Sequence, residues 1–401
     1  MRWSMPHNSP PAEAGRQRRL AFLDYLRIFA FASVLVGHKF WQPLQAAIAA
    51  PDSPWHWPAR LLWPWVRGGG AGVLVFFLVS GYIITHVLER ERTLEFLIRR
   101  AFRIYPLYIV AVLAQFALLH AQGQAPAVPT LLAQLSLLGD WLGAPYTLGG
   151  VEWTLRLELV FYLLMAALKA MNLGLAAFKT SALFARWCNG GGARRPWLVE
   201  AALLPIAVAD RLLAKASRPW VYVLLTLALY ACLGPWPTHT AWTRGYFTLY
   251  FPCLLLGSAI WLGEHGVMRW VGVALLGLLV LLLQYFGLQA WQPVWLDAHF
   301  TLLALALFLL LWALRRRLPA PRGVLWLSEL TYAVYLFHNW VFDALRDAAL
   351  GRGLHAAPAQ LLALAGLFAL CALLTRWVER PAIGLGRWVS RRYSGSAQEK
   401  L

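Results

Sequence analysis

The chain predicts an all-α integral membrane protein, a polytopic bundle of about ten transmembrane helices with both termini in the cytoplasm. Three observations carry this. Of the 401 residues, 60% are hydrophobic and only 13% charged, whereas a soluble domain carries about 25% charged residues. Apolar stretches long enough to cross a bilayer recur from Leu20 to the C-terminal region. Basic residues also crowd into alternate loops, the pattern of positive-inside topology.

The predicted spans are 20–43, 70–89, 103–121, 151–172, 219–235, 246–263, 268–287, 299–314, 324–345 and 357–377. The first follows a polar segment ending in Arg16, Arg18 and Arg19. It is long and lacks a small-residue cleavage site, so it reads as a retained span and not a signal peptide. Residues 131–142 are too short to span. Residues 197–214 contain Glu200, Asp210 and Arg211 and read as an interfacial helix. The resulting division is a basic tail over 1–19, a membrane domain over 20–377 and a second basic tail over 378–401.

Loop charges fit this order. Basic residues gather at Arg90 and Arg92, at Arg99, Arg100 and Arg103, and at Lys179, Arg186, Arg194, Arg195, Lys215 and Arg218. They return at Arg315, Arg316, Arg317 and Arg322, and again at Arg380, Arg387, Arg391, Arg392 and Lys400. Residues 122–150 and 288–298 contain no Lys or Arg. The net charge of +18 therefore expresses topology, and membrane lipids, not nucleic acid, are the expected partner. The 22 Trp residues suit bilayer interfaces. Cys188, Cys232, Cys253 and Cys371 form no CxxC or Cys/His spacing, so neither a metal site nor a disulfide framework is expected.

Ionisable groups inside spans are costly and mark functional sites by default. Arg27 and His38 share the first span. Eleven residues is close to three helical turns, so they lie on one face, about 16 Å apart along the axis. Asp24, one turn before Arg27, is a candidate partner for it. Glu158 lies in the fourth span; Ser328, Glu329, Tyr332, Tyr335 and His338 lie in the ninth. The topology puts His38, Glu158 and His338 in the outer half of the bilayer and Arg27 in the inner half. Each has a bland reading too. A His at a helix end can be interfacial, Glu158 can be a mere partner for Arg156, the tyrosines can be packing residues, and Glu152 reads as solvated.

These residues fall in segments that resemble the acyltransferase 3 family of membrane acyltransferases. LDYLRIFAFASVLVGH, Leu23 to His38, resembles the family's first helix with its Arg-x10-His arrangement. GVLVFFLVSGYIIT, Gly72 to Thr85, resembles FFxLSGFLI, and FLIRRAFRIYPLY, Phe96 to Tyr108, resembles FxxRRxxRIxPxY. GGVEWTLRLELVFYLL, Gly149 to Leu164, resembles WSLxVExxFY. LSELTYAVYLFH, Leu327 to His338, resembles LGxxSYxLYLxH, and VERP, Val378 to Pro381, resembles the closing ExP. The order is the family's, and the matches cover nearly the whole chain.

The resemblance implies transfer of an acyl group, commonly acetyl, from cytoplasmic acyl-CoA to a hydroxyl of a cell-envelope carbohydrate, in a bacterial cytoplasmic membrane. It carries the family's Arg and His onto Arg27 and His38, its acid onto Glu158, and its basic cluster onto Arg99, Arg100 and Arg103. The candidate catalytic residues are thus His38, Glu158 and Arg27. Arg99, Arg100, Arg103 and Ser80 are candidates for the donor, and Trp153, Thr154, Tyr332, Tyr335 and His338 for the acceptor. Tyr25 and Ile28 depart from LDGLRGIA, Thr154 and Thr331 replace Ser, and Leu159 replaces a polar neighbour of Glu158, which bears on substrate choice. No hydrolase-like domain is expected after the last span.

His is the natural base for deprotonating an acceptor hydroxyl. His38 is expected in that role with Glu158 as orienter, or as the carrier of a transient acyl-histidine. Arg99, Arg100 and Arg103 suit CoA phosphates, or anchor the inner surface. The competing class is a transporter or channel using the same intramembrane charges, against which stands the lack of a two-half repeat.

Overall fold

The computed structural model describes residues 20–124, 126–180, 219–238 and 244–395, with the side chains of 171–180 and 394–395 left aside. The basic N-terminal segment, the helix expected at 197–214, Cys188, Lys400 and the basic residues Arg186 to Arg218 lie outside these residues, as does the Lys179 side chain. All regular structure among the described residues is helical, as the composition requires.

The helices are α1 (Ala21–Lys39), α2 (Trp41–Ala49), α3 (His56–Val66), α4 (Gly70–Arg90), α5 (Thr93–Ala121), α6 (Val128–Leu135) and α7 (Glu152–Thr180). After these come α8 (Pro219–Leu233), α9 (Tyr246–Glu264), α10 (Trp270–Trp291), α11 (Phe300–Ala313), α12 (Arg322–Glu329) and α13 (Thr331–Phe337). The last are α14 (Trp340–Leu350), α15 (Ala356–Leu374) and α16 (Arg380–Gly395), the final pair joined by a π turn at Thr375–Glu379.

Among the described residues, 7 helical stretches are long and apolar enough to cross a membrane, and they fall on seven of the predicted spans. The other three predicted segments differ for separate reasons. The segment 151–172 lies in α7, a 29-residue helix that carries Glu152, Arg156, Glu158 and Lys169. Its polar groups are turned inward: Arg156 and Glu152 are wholly buried and Glu158 nearly so. In the segment 219–235 the described helix has 15 residues, a rise of about 22 Å.

The segment 324–345, expected as one span, is broken into α12, α13 and α14. Its own polar groups redirect the backbone. Thr331 Oγ1 donates to the Ser328 carbonyl at 2.7 Å across the first break, and the His338 ring takes the Tyr335 carbonyl at 2.7 Å at the second. Side-chain bonds of this kind compete with the helical ladder. Such a broken element is tolerated at membrane depth only where protein surrounds it or it lines a cavity.

α4 and α9 form the centre. α9 is apolar on every face and buried from Tyr246 to Gly263, as a helix without a polar stripe must be. Close approach comes from two glycines used reciprocally: Gly81 lies against the Leu254 carbonyl and Gly257 against the Leu78 carbonyl. Small residues at such crossings let backbones touch, which drives association where lipid removes the hydrophobic incentive. Polar bonds lock the same pair. Thr85 and Ser258 hydroxyls meet at 2.6 Å, and Glu264 accepts from Tyr82 at 2.6 Å and from Trp312 of α11 at 2.7 Å. α1 packs across α4, with Gly72 seated on Ala30 and Ser33.

Gly257→Leu should therefore force α4 and α9 apart. The expected penalty is about 1–3 kcal/mol or more, as for overpacked cores, seen as a lower melting temperature of the detergent-solubilised protein. An unchanged melting temperature would deny the central crossing.

Candidate active site

α1 is unbroken from Ala21 to Lys39, so Arg27 and His38 keep the spacing of about 16 Å that the helical repeat dictates. Each opens into a different cavity. The cavity at the His38 end has a volume of about 420 Å³. The cavity at the Arg27 end has a volume of about 60 Å³.

At the first, His38 Nδ1 lies 3.0 Å from His338 Nε2. His338 is fully buried, and its Nδ1 lies 2.7 Å from the Tyr335 carbonyl. A carbonyl only accepts, so His338 Nδ1 carries its proton and, in the neutral ring, His338 Nε2 bears a lone pair. His38 Nδ1 must then be the donor to it. That leaves Nε2 as the nitrogen not bound to His338, and the His38 ring also hydrogen-bonds the Gly68 backbone at the cavity wall. His38 is exposed there, and Gly68, Gly149 and Gly150 line the wall around it.

Much of the wall is aromatic. Trp41, Trp153, Tyr246, Tyr250, Trp295, Phe300 and Tyr335 line it. Trp153 is wedged against Tyr246 and Tyr250, with ring centroids at 5.0 and 5.3 Å. Lys39 braces the rim: its Nζ donates to Asn339 Oδ1 at 2.5 Å and to Asp343 Oδ2 at 2.7 Å. Asn339 Nδ2 in turn donates to the Gly149 carbonyl at 2.5 Å. The residue after each His thus ties α1, α14 and the 149–150 turn together. Gly149 and Gly150 have φ of 67° and 82°, the left-handed conformation that favours glycine.

That turn is set by α7. Glu152, expected to be solvated, is wholly buried and accepts the Thr147 and Leu148 amides at 2.6 and 3.1 Å. One turn on, Arg156 ion-pairs with Asp140 at 2.8 Å, both side chains fully buried, and donates to Gln134 at 2.9 Å. Tyr246 donates to the second Asp140 oxygen. Arg156 therefore pairs with Asp140, not with Glu158.

The second cavity gathers Arg27, Ser80, Arg100, Arg103, Glu158, Tyr162 and Tyr332. Glu158 accepts from Ser80 at 3.0 Å and from Tyr162. It does not touch His38, whose orienting partner is His338. Tyr332 donates to the Ile104 carbonyl at 2.8 Å. The Arg100 guanidinium lies over the Phe96 and Tyr162 rings at 5.5 and 5.8 Å, and its buried Nε has no hydrogen-bond partner. Arg99 does not join this group. It pairs with Glu91 at 2.7 Å and Glu95 at 2.5 Å and donates to Ser390 of α16 at 3.1 Å. Asp24 accepts from Ser328 at 2.7 Å. Thr154 stands between the cavities, 2.8 Å from the Tyr335 hydroxyl.

The twelve candidate residues thus divide between two sites. His38, His338, Trp153 and Tyr335 stand at the first, Arg27, Ser80, Arg100, Arg103, Glu158 and Tyr332 at the second, Thr154 between them, and Arg99 apart. Lys39, Asn339, Asp140 and Arg156 were absent from the candidates. Lys39 and Asn339 directly follow the two His residues, and that repeated polar neighbour at a helix end was the available signal.

Arg156→Leu should strand the Asp140 carboxylate. Removing one partner of a buried pair costs about 3–5 kcal/mol, while replacing both is far milder. The expected result is a large fall in melting temperature for Arg156→Leu, partly recovered in Arg156→Leu with Asp140→Leu. Equal melting of single variant and wild type would remove the pair from the fold's support.

Comparison with known proteins gives these geometries a family. Residues 20–376 match the model of an acyltransferase domain. The exopolysaccharide production protein ExoZ of Rhizobium meliloti (strain 1021) is 27% identical over 355 residues, covering 82% of this chain and 95% of ExoZ. Acyltransferase MdmB of Streptomyces mycarofaciens is 30% identical over 105 residues, 24% of this chain and 27% of that protein. Nodulation protein 10 of Rhizobium leguminosarum bv. viciae is 29% identical over 166 residues, 36% of this chain and 43% of that protein. No solved structure matches. The chain belongs to the acyltransferase 3 family, and it is a multi-pass membrane acyltransferase.

Proposed function

We propose that the protein transfers an acetyl group from cytoplasmic acetyl-CoA to a hydroxyl of a cell-envelope carbohydrate, such as an exopolysaccharide or lipopolysaccharide. It does so in a bacterial cytoplasmic membrane, with both termini inside. The observation that carries this is the His38–His338 pair, which stands at an aromatic-lined cavity at the far end of α1 from an arginine cluster.

The two ends suit two substrates. Arg27, Arg100 and Arg103 supply guanidinium groups that favour phosphate oxygens, which fits the phosphates of CoA at that end. Arg99, held by Glu91 and Glu95, serves the fold near that surface. Sugar rings have apolar C–H faces and hydroxyl rims, and Trp153 and Trp41 offer flat apolar surfaces with polar tips. The name of ExoZ, an exopolysaccharide production protein, supports a carbohydrate acceptor.

In the base route, His38 Nε2 takes the proton of the acceptor hydroxyl as its oxygen attacks the thioester carbonyl. The new C–O bond forms, the C–S bond breaks, and the proton passes from His38 to the leaving thiolate. His338 and the Tyr335 carbonyl hold the tautomer and offset the charge on His38 while it is protonated. The same lone pair serves nucleophilic attack in the acyl-histidine route. Glu158, with Ser80 and Tyr162, orders the arginine end.

The test is incorporation of label from radioactive acetyl-CoA into glycan in membranes carrying matched amounts of protein. His38→Ala should lose about 10²–10⁴-fold, the usual worth of a general acid–base group, and His338→Ala should lose less. Arg100→Gln and Arg103→Gln should raise KM for acetyl-CoA with insertion unchanged. Equal labelling by wild type and His38→Ala would remove His38 from the chemistry.

A further inference from the structure

A second cationic surface stands on α16, away from both cavities. The helix continues α15 through the π turn, and the whole stretch Ala356–Tyr393 has 38 residues. It is about 57 Å long, against a hydrocarbon core of about 30 Å. Its level in the bundle follows from its neighbours. Arg380 pairs with Glu329 at 2.5 Å, and Glu329 lines the arginine cavity with Arg27. α4 passes the histidine cavity at Gly70 and the arginine cavity at Ser80 and ends at Arg90, so α5 begins at the end of the bundle remote from His38. α16 runs back along α5 toward that end: Gly386 lies against Phe102, and Ser390 Oγ accepts from Arg99 Nε at 3.1 Å. Arg27 lies about 10 Å along α1 from Leu20, and Gly386 about 9 Å along α16 from Arg380. Leu385 to Arg392 therefore stand level with the start of α1, where the apolar run opens after Arg18 and Arg19. That level is the edge of the hydrocarbon.

α16 shows two flanks there. Gly386 and Ser390 are buried against α5. On the opposite side Leu385 and Trp388 are 50% and 57% exposed, and with Arg392 they share one flank at helical spacing. Arg392 lies over the Trp388 ring at 5.5 Å. Arg387 and Arg391, one turn apart and both exposed, form the adjoining flank. Residues 380–395 contain no Asp or Glu. Arg380 has its carboxylate in Glu329, but among the described residues Arg387, Arg391 and Arg392 have none.

We propose that this exposed face of α16 is a docking surface for anionic phospholipid headgroups, of the phosphatidylglycerol kind, in the cytoplasmic leaflet. The leaflet follows from the orientation proposed above; the binding stands apart from the acyl-transfer reading. Guanidinium groups favour phosphate oxygens, and Trp and Leu beside them favour the boundary between acyl chains and headgroups. The cytoplasmic leaflet carries the negative charge that complements Arg387, Arg391 and Arg392. A small soluble phosphate gains nothing from Leu385 and Trp388, whereas an anionic lipid uses both flanks at once.

The experiment reads lipid binding and not turnover. Full-length protein, stripped of lipid in detergent, is titrated with phosphatidylglycerol or phosphatidylcholine, and bound lipid is counted by native mass spectrometry. Wild type should prefer phosphatidylglycerol. A basic residue at a lipid surface contributes about fivefold to such binding, so Arg387→Gln with Arg391→Gln should weaken phosphatidylglycerol by about 10–30-fold and leave phosphatidylcholine unchanged. Arg316→Gln with Arg317→Gln removes the same charge from exposed positions after α11 and should keep the wild-type preference. Neither pair touches the packed face of α16, so both variants should fold, as monodispersity in detergent checks. Equal affinity of wild type for the two lipids overturns the proposal. An equal loss in both variants overturns it too, since the attraction would then belong to the basic end as a whole. Unchanged affinity in the α16 variant also overturns it and leaves this face to a protein partner.

Discussion

A polar group inside hydrocarbon has no water to turn to, and its partners must come from the protein. That constraint organises this molecule more than any single apolar contact. Arg156 and Asp140 face each other with no exposed side-chain surface. Lys39 is closed over by Asn339 and Asp343. Glu152 spends itself on two loop amides, and Glu158 on two hydroxyls. The bonds of Lys39 to Asn339 and Asp343, and of Ser80 to Glu158, cross between elements distant in sequence, so satisfying these charges also dictates which helices become neighbours. The site then inherits its rigidity from bonds that the bilayer makes compulsory.

The histidine pair is the chemical product of the same economy. Had His338 faced a carboxylate, the pair would have been held as a cation. A main-chain carbonyl makes a milder demand: it fixes the tautomer without adding a full charge. The break in the helix after Phe337 and the orientation of the ring at His338 are thus one event seen from backbone and side chain. A regular helix through 324–345 would have used the Tyr335 carbonyl in its own ladder, leaving the ring without its anchor.

The apolar framework was legible in the sequence because span length and hydropathy are local properties. α1, α4, α5, α9, α10, α11 and α15 fall where the apolar runs are. The run 324–345 looked continuous because hydropathy averages over Ser328, Thr331 and His338, whereas the backbone responds to each hydroxyl and ring nitrogen separately. Arg27 and His38 were readable as a pair on one helix face, since the helical repeat alone relates them. The partner of His38 was not. Glu158 and His338 were both polar residues in distant spans, and only packing across 300 residues of chain separates the neighbour from the bystander. Arg99 was grouped with Arg100 and Arg103 by adjacency. A helix turns adjacent residues through about 100°, which sends one of them to Glu91 and its neighbour over Tyr162.

Because Arg27 and His38 ride on one uninterrupted rod, the distance between the two cavities they line is counted in residues and not maintained by tertiary contacts. That makes the interval a matter of phase. Losing or gaining one residue between them changes the length by only about 1.5 Å but swings one end about 100° around the axis, away from its cavity and into lipid or a neighbouring helix. Substitutions along this stretch are a question of fit, while changes in its length are a question of arithmetic. Under the proposed function, a donor with a longer or shorter reach is more readily accommodated by reshaping the cavities at either end than by altering the rod that separates them.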